Sequence, residues 1–382
     1  MAFSLYIHIP YCVAKCPYCD FNSHAATSWP EDRYTAAIIA EIRHRGTQTP
    51  FAGCPVKTIF FGGGTPSLFQ PASIARILES VAATCGIADD TEITLEANPG
   101  TVAERALAGF RAAGVNRISF GAQSFNPAIL KYLGRIHTAE ETRSAARAAR
   151  QVGFARLNLD LIFAVPGQTL ADVRRDLMEA VALEPDHVSA YNLTFEPGTA
   201  FFADLQRGRI RPLDEDLQAA MYALVRDELP QQGYPMYEIS NFAPRGHEAR
   251  HNLSYWRGES YLGIGAGAHS FAGEGAGGRR WWNEKLPARY LTLVEGRGEA
   301  EAGSEVIDGR TAMGEFVFLN LRLRSGLDSA RFRSRFGCDF DEVFGSVAAR
   351  LTAGGVLLRE GGWIRLSERG LEVADSVFAE FL

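Results

Sequence analysis

A loop with three closely spaced cysteines places the strongest constraint on this 382-residue chain. Cys12, Cys16 and Cys19 have the spacing C-x3-C-x2-C, and they follow the alternating stretch Leu5–Ile9, which predicts a short strand. Two prolines in the loop interrupt regular structure. Because three thiolates so close in sequence can converge on one group, the sequence predicts a metal centre on a loop at the end of a strand.

The donor type narrows the choice of metal. Soft thiolates select zinc, cuprous ion or an iron–sulfur cluster. A four-iron cluster normally takes four thiolates, so three would leave one iron open to a small molecule. A structural zinc site with His8 or His24 as the fourth ligand is the alternative. The other cysteines occur singly and no secretory signal precedes the loop, which speaks against a disulfide framework.

Composition excludes several classes of protein. The chain is long enough for a large core and two or three structural units. A net charge of −6 provides no basic footprint for nucleic acid. No apolar run approaches the ~20 residues that span a bilayer, so no direct membrane span is expected. With no targeting segment, we expect a cytoplasmic protein.

Strand and helix patterns alternate six times over the first 205 residues. The predicted strands are 5–9, 58–61, 92–96, 117–120, 157–163 and 187–193. The predicted helices include 31–45, 71–84 and 170–181, and two capping boxes, Thr101/Glu104 and Thr138/Glu141, open two more. This order predicts an α/β fold, a partial (β/α)6 TIM-like barrel over residues 1–205, with its chemistry at the carboxyl ends of the strands.

The alternation stops after residue 205. Residues 206–305 form a predicted connecting region with a helix at 214–232 and a Gly- and Trp-rich loop, of which 274–278 is predicted to be flexible. Residues 306–382 predict a smaller α+β domain in which a hairpin (356–366) lies between helices, similar to a winged helix. That domain has no basic excess, so DNA is not its expected partner.

The cysteine motif, interleaved with Tyr11, Tyr18 and Phe21, resembles the radical S-adenosylmethionine (SAM) superfamily. The resemblance implies a [4Fe–4S] cluster whose open iron is chelated by SAM, and an electron transfer that releases a 5′-deoxyadenosyl radical. The run Gly62–Thr65, directly after a predicted strand, looks like the element that receives the SAM amino group.

A more specific resemblance covers nearly the whole chain. The runs YIHIPYC, KCPYCDFNSH, GGGTPS, LEANPG, RISFGAQSF, LGRIH and LDLIFAVPGQT are similar to the family of oxygen-independent coproporphyrinogen III oxidase, and most similar to its haem-chaperone branch, the HemW type. This implies that Cys12, Cys16 and Cys19 hold the cluster. The SAM contacts implied by the resemblance are Tyr6, Gly63, Gly64, Thr65, Glu96, Gln123, Arg135, Asp160 and, as a looser match, Thr194.

Two departures separate the chain from the oxidase itself. Phe21 stands where the oxidase has a further cysteine, and the chain begins five residues before Tyr6, whereas the oxidase has an N-terminal extension over its active site. Both features put porphyrinogen decarboxylation in doubt. His251–Tyr255 matches the H-N-x-x-Y motif that the branch links with haem, so His251 and Tyr255 are candidate haem contacts. The alternative is a histidine hydrogen-bonded in a loop, with Asn252 capping a turn.

Three functions are therefore compared. The first is a cytoplasmic radical-SAM-type haem chaperone that binds haem as cargo, receives electrons from a donor and delivers haem to proteins of the respiratory chain; membrane contact would then come through a partner, and homodimerisation is open. The second is the oxidase, an enzyme of porphyrin biosynthesis that uses SAM to decarboxylate two propionates. The third is a zinc-stabilised binding protein without redox chemistry. Whether SAM is cleaved, and so whether the chain is an enzyme, is left open by the sequence.

Overall fold

The computed structural model describes residues 2–382, apart from the side chain of Glu274. The first eight strands are β1 (Phe3–Ile9), β2 (Tyr11–Cys12), β3 (His24–Ala25), β4 (Val56–Gly63), β5 (Ile87–Ala97), β6 (Arg117–Gln123), β7 (Arg156–Phe163) and β8 (His187–Asn192). Strands β1, β4, β5, β6, β7 and β8 lie side by side in that order, all parallel, which confirms the six predicted strands and the partial (β/α)6 barrel. Strands β2 and β3 form a separate parallel pair beside the cysteine loop.

Helices connect the parallel strands and cover their outer face. They are α1 (Glu31–Gly46), α2 (Pro71–Thr84), α3 (Glu104–Ala112), α4 (Pro127–Tyr132), α5 (Ala139–Gln151) and α6 (Leu170–Val181). The capping box predicted at Thr138 and Glu141 is confirmed. The box predicted at Thr101 is wrong, because the Thr101 hydroxyl donates to the Asn98 carbonyl in a turn (3.3 Å) and α3 begins only at Glu104.

The middle of the chain extends the sheet at both edges. Its elements are α7 (Ala200–Gln206), α8 (Glu215–Gln231), β9 (Met236–Glu238), β10 (Asn241–Phe242), α9 (Arg250–Trp256), β11 (Tyr261–Ile264), β12 (His269–Glu274), β13 (Gly277–Asn283), α10 (Pro287–Arg297) and β14 (Glu301–Ile307). Strand β11 pairs parallel with β1, and β12, β13 and β14 continue antiparallel beyond it. Strands β10 and β9 lie beyond β8 at the opposite edge.

The Gly- and Trp-rich stretch is therefore not a loop, as the sequence predicted, but strands of the main sheet. Its glycines allow neighbouring strands to approach closely: a Cβ at Gly278 would lie 2.7 Å from the Ala272 carbonyl oxygen. The segment predicted to be flexible is the tight turn between β12 and β13.

The last part of the chain packs around its own apolar core. Its elements are α11 (Gly309–Leu321), β15 (Leu327–Asp328), α12 (Ser329–Phe336), α13 (Phe340–Ala353), β16 (Leu357–Glu360), β17 (Trp363–Leu366), α14 (Glu368–Glu372) and α15 (Ala374–Ala379). The predicted hairpin is confirmed as β16 and β17, with β15 as a third strand. We call residues 309–379 the C-terminal module. Arg322 connects it to the middle of the chain by stacking on Trp256 of α9 (4.3 Å to the ring centre) and lying 3.7 Å from the Glu238 carboxylate of β9.

Within residues 2–382, none of the helices combines the length and the apolar character that crossing a membrane requires.

Candidate cluster and cofactor site

The cysteine loop is closed by its own lysine. The Lys15 ammonium donates to the carbonyl oxygens of Phe21 (3.0 Å) and Ser23 (3.1 Å), across the part of the loop that holds the cysteines. The Thr65 hydroxyl donates to the Cys12 thiol at 3.5 Å. Cys12, Cys16 and Cys19 all line one cavity of about 160 Å³, which we call the cluster cavity.

Burial affects the protonation of two of the three thiols. Burial raises the pKa of the Cys12 thiol and of the Cys19 thiol, although hydrogen bonds from Thr65 and Ser23 oppose the shift. Nη1 of Arg135 donates to the Cys16 sulfur at 3.3 Å, so a positive charge lies beside this thiol. Metal binding at such a site must release protons, so it should weaken in acid.

The triple glycine is packed against the cysteine loop. Gly63 has a φ of 110°, and a Cβ there would meet the His8 ring. A Cβ at Gly64 would lie 2.6 Å from the Tyr11 carbonyl oxygen, and the Gly64 amide donates to Ile9 at 2.8 Å. Only glycine fits the close approach of residue 64 to Tyr11. Gly63 and Gly64 also line the cluster cavity, where the absence of side chains lets a ligand approach the backbone.

Two half-buried carboxylates face the same cavity. Burial, reinforced by the neighbouring Asp160 charge, raises the pKa of Glu96 to about 8, although the Gly63 amide donates to it at 3.3 Å. Burial also raises the pKa of Asp160, which accepts hydrogen bonds from Ser119 (3.0 Å) and Asn158 (2.8 Å). Adjacent carboxylates held in this way suit a ligand that carries positive charge and hydroxyl groups.

Arg135 and Gln123 complete the opposite wall. Nη2 of Arg135 donates to the Gly121 carbonyl at 2.8 Å, while its buried Nε has no partner among the described residues. Gln123 has a φ of 63°, a strained conformation for this residue type at the end of β6. An unpartnered donor beside a cavity fits a carboxylate ligand.

The structure brings nearly all the predicted residues together. The cluster cavity is lined by Cys12, Cys16, Cys19, Gly63, Gly64, Thr65, Glu96, Gln123, Arg135 and Asp160. Tyr6 lines a second cavity of about 630 Å³, which shares Gly63 and Glu96 with the first and which we call the side cavity. Thr194 is exposed and lines neither.

His8 gives the zinc alternative no support, whereas Nε2 of His24 is buried and has no partner among the described residues. Both ring nitrogens of His8 are engaged, Nδ1 at 3.0 Å from the Tyr6 hydroxyl and Nε2 at 2.9 Å from the Asn22 carbonyl. In the described residues, no three His, Cys, Asp or Glu side chains are arranged to hold a metal ion by themselves. The three thiols line the cluster cavity together with Gly63, Glu96 and Arg135.

Sequence reasoning missed Lys15, Asn98 and Ser119, which also line the cluster cavity. A signal for Ser119 was present, since it lies on the same face of β6 as Gln123 by the two-residue period of a strand. Lys15 gave no signal beyond its place between two cysteines.

The H-N-x-x-Y motif lies on helix α9, not in a loop, and His251 is buried. The Glu92 carboxylate accepts from the His251 amide (3.0 Å) and caps the helix. Nδ1 of His251 lies 2.9 Å from the Thr58 hydroxyl, and Nε2 lies 2.8 Å from the Tyr255 hydroxyl. Because Thr58 donates its own proton to Ser4, Nδ1 is assigned as the donor and Nε2 as the acceptor from Tyr255. As placed, His251 has no free ring nitrogen for iron.

Comparison with known proteins identifies the family. Residues 6–180 match the radical SAM superfamily, and residues 307–373 match the HemN C-terminal domain. A protein named heme chaperone HemW from Bacillus subtilis is 35% identical over 99% of both chains. This chain belongs to the HemW family. As a member of the radical SAM superfamily, it uses a [4Fe–4S] cluster and SAM.

Two further relatives agree with this assignment. Heme chaperone HemW of Escherichia coli is 45% identical over 70% of this chain and 69% of that protein. A solved structure of coproporphyrinogen III oxidase (HemN) from Escherichia coli, a radical SAM enzyme, aligns with a TM-score of 0.85 at 25% identity, covering 100% of this chain and 90% of that one. This chain therefore shares the fold of HemN along its whole length.

Proposed function

We propose that the chain is a haem chaperone, which binds haem and passes it to haem-requiring proteins of the respiratory chain. The observation that carries this proposal is similarity over 99% of both chains to a protein named heme chaperone HemW. Phe21 also supports it, because this exposed side chain leaves the cysteine loop with three thiols. Nothing in the site specifically favours the oxidase.

Cys12, Cys16 and Cys19 are the proposed ligands of the [4Fe–4S] cluster. The donor set fits, because three thiols on one cavity wall leave one iron for SAM. With SAM bound, the cluster would supply one-electron reduction of the sulfonium. Lys15 holds the loop closed, and Arg135 supplies positive charge beside Cys16.

The SAM groups are assigned by charge. Glu96 and Asp160 are proposed to bind the cationic and hydroxyl-bearing parts of SAM, and Arg135 its carboxylate, through the Nε that has no partner in the described part of the chain. The remaining proposed contacts are Tyr6, Gly63, Gly64, Thr65 and Gln123. Thr194 is left out of this assignment because its side chain is exposed away from both cavities.

Tyr255 is the proposed haem contact of the H-N-x-x-Y motif, and His251 is proposed to position it. Burial, with Lys57 and Arg117 nearby, lowers the pKa of His251 to about 3, so the ring is neutral and Nε2 can accept a hydrogen bond from the Tyr255 hydroxyl. The other proposed partners are an electron donor for the cluster and the haem-accepting proteins. A cytoplasmic location and a homodimer complete the proposal.

Haem retention and transfer test the proposal. The protein would be reconstituted anaerobically with iron and sulfide, mixed with haemin, desalted and examined for a Soret band, and then incubated with an apo-haem protein. We expect stoichiometric retention and transfer. Absence of retention, combined with turnover of coproporphyrinogen III, would replace the chaperone by the oxidase.

Two cysteine variants test the cluster assignment in the same preparation. Cys16→Ser should lose most of its iron and acid-labile sulfide. Cys54→Ser is the matched control, because Cys54 lies away from the site and only donates to the Pro50 carbonyl at 3.4 Å. Equal iron content in both variants would overturn the assignment of the three cysteines.

A further inference from the structure

A separate apolar cavity lies between the edge of the sheet and the C-terminal module. It has a volume of about 470 Å³, and its apolar lining includes Tyr255, Tyr261, Phe271, Phe316, Phe318 and Leu319. This size falls within the range of about 300–1,000 Å³ that is usual for sites of cofactors and small molecules. None of the cluster cysteines lines it. We call it the arginine cavity.

Arg335 of α12 lines this cavity, and Arg331, one turn earlier on the same helix, shares the ring of the lining residue Phe316 with it. The guanidinium carbons of Arg335 and Arg331 lie 5.0 Å and 5.3 Å from the centre of the Phe316 ring. Nη1 of Arg335 donates to the Gly258 carbonyl (2.7 Å), and Nη2 of Arg331 donates to the Arg257 carbonyl (2.8 Å). Burial, and then the charge of Arg331, lowers the pKa of Arg335. Two guanidinium groups on one ring make this end of the cavity suitable for an anionic ligand.

The carboxylates around the cavity do not neutralise Arg335. Glu315, which lines the cavity, is paired with Arg280 (2.6 Å). Glu259 is paired with Lys57 and lies 4.0 Å from Arg331. Among the side chains that the structure describes, no carboxylate lies within 4.0 Å of the Arg335 guanidinium. The cavity thus joins an apolar, aromatic interior to a guanidinium whose hydrogen-bonding capacity is only partly used.

Two tyrosines separate this cavity from the side cavity. Tyr255 and Tyr261 line both, and their rings meet edge to face with centres 4.7 Å apart. The side cavity in turn shares Gly63 and Glu96 with the cluster cavity. His251, bonded to the Tyr255 hydroxyl, therefore fixes one half of the wall between the arginine cavity and the region of the cluster.

We propose that the arginine cavity is the haem site: the porphyrin lies against Tyr261, Phe271 and Phe316, and its propionates pair with Arg335 and Arg331. A flat apolar ring with two carboxylates at one edge matches both the aromatic lining and the pair of cations. The inference rests on the proposed function, because it takes haem as the cargo. It assigns to the C-terminal module a direct part in holding that cargo.

The test compares haemin with haemin dimethyl ester, whose propionates carry no charge. Binding would be titrated by the Soret band with the cluster-containing protein and its Arg335→Gln and Arg331→Gln variants. The matched control is Arg333→Gln, because Arg333 is exposed on the same helix and is paired with Asp339. Iron and sulfide content, measured in every sample, reports that the barrel has folded.

We expect each cavity variant to bind haemin about tenfold more weakly than wild type, as the loss of one charge-assisted hydrogen bond predicts. The ester should bind wild type and variants equally weakly, and Arg333→Gln should behave as wild type. A contrary outcome is that wild type binds haemin with an affinity that Arg335→Gln, Arg331→Gln and esterification all leave unchanged. In that outcome the haem site lies elsewhere, while the chaperone proposal stands. If wild type binds no haemin, both proposals fail.

Discussion

Nη1 of Arg135 lies 3.3 Å from the sulfur of Cys16, although 119 residues separate them in sequence. One guanidinium therefore contacts the cluster loop while its buried Nε points to no partner in the described residues. Nη2 is already used by the Gly121 carbonyl (2.8 Å), which fixes the orientation of the group. One side chain therefore has two roles, a positive charge beside the Cys16 sulfur and a donor for an anionic ligand.

Arg135→Lys should separate these two roles. The variant keeps a positive charge at this position, but it loses the planar fork that can bind a carboxylate. We expect SAM to bind about tenfold more weakly, which corresponds to the loss of one charge-assisted hydrogen bond, with iron content close to that of wild type. Isothermal titration with SAM measures this. Arg111→Lys, at an exposed site remote from the cavity, is the control; equal SAM affinity in Arg135→Lys and wild type would contradict the role of Arg135.

Glu96→Gln should stabilise the SAM-free protein at high pH and weaken SAM binding. Its folded pKa of about 8 lies above the ordinary 4.5, so the stability linked to its protonated form is complete below 4.5 and is lost as pH rises through 8. The variant should therefore melt several degrees above wild type at pH 8.5 and close to it at pH 4.5. The pKa of Asp160 is also raised, so this residue changes the stability of wild type and of Glu96→Gln with pH in the same direction.

The same carboxylate should make SAM binding dependent on pH. The charged form is the one that attracts a sulfonium and an ammonium, so SAM affinity of wild type should rise between pH 6.5 and 8 and then level off. In Glu96→Gln this rise should be reduced. Melting curves and SAM titrations at matched pH values test both statements, and a variant that melts no higher than wild type at pH 8.5 would refute the first.

Gly64→Ala should prevent cluster assembly without unfolding the chain. A methyl group at Gly64 would lie 2.6 Å from the Tyr11 carbonyl oxygen, so the loop that carries Cys12 must move. We expect iron and sulfide content to fall by more than half while far-ultraviolet circular dichroism is retained. Gly296→Ala is a clean control, because nothing lies within 4 Å of its added carbon. Full iron content in Gly64→Ala would show that the loop tolerates the shift.

Local periodicity accounts for what the sequence predicted correctly. Strands β1 and β4 to β8 are short apolar runs closed by glycine or proline, and the cysteine spacing is itself a local feature. Because parallel strands end at one edge, Glu96 and Asp160 could be expected to meet. The same reasoning did not predict strands β11 to β13, which are rich in Gly and Trp. Their glycines reflect close pairing with neighbouring strands, and no local sequence pattern reveals that pairing.

The surroundings of His251 show the same limit more sharply. Its ring contacts Thr58, 193 residues away, and its amide is capped by Glu92, 159 residues away. The motif alone was equally compatible with an iron ligand and with a hydrogen-bonded histidine. Only tertiary structure shows that both ring nitrogens are used and that the motif forms a helix.

Tyr255→Phe and His251→Gln together should decide whether His251 ligates haem iron or positions Tyr255. Tyr255→Phe keeps the ring but removes the hydroxyl that holds Nε2 at 2.8 Å. If His251 acts through Tyr255, both single variants should weaken haemin binding by a similar factor, about threefold to tenfold, and the double variant should add little, because the two residues are coupled. If His251 ligates the iron, Tyr255→Phe frees Nε2 of His251, and haemin should bind at least as tightly as to wild type, with a shifted Soret band. In that case His251→Gln should abolish the Soret band. Soret titrations of the four proteins give the answer; we expect the first pattern.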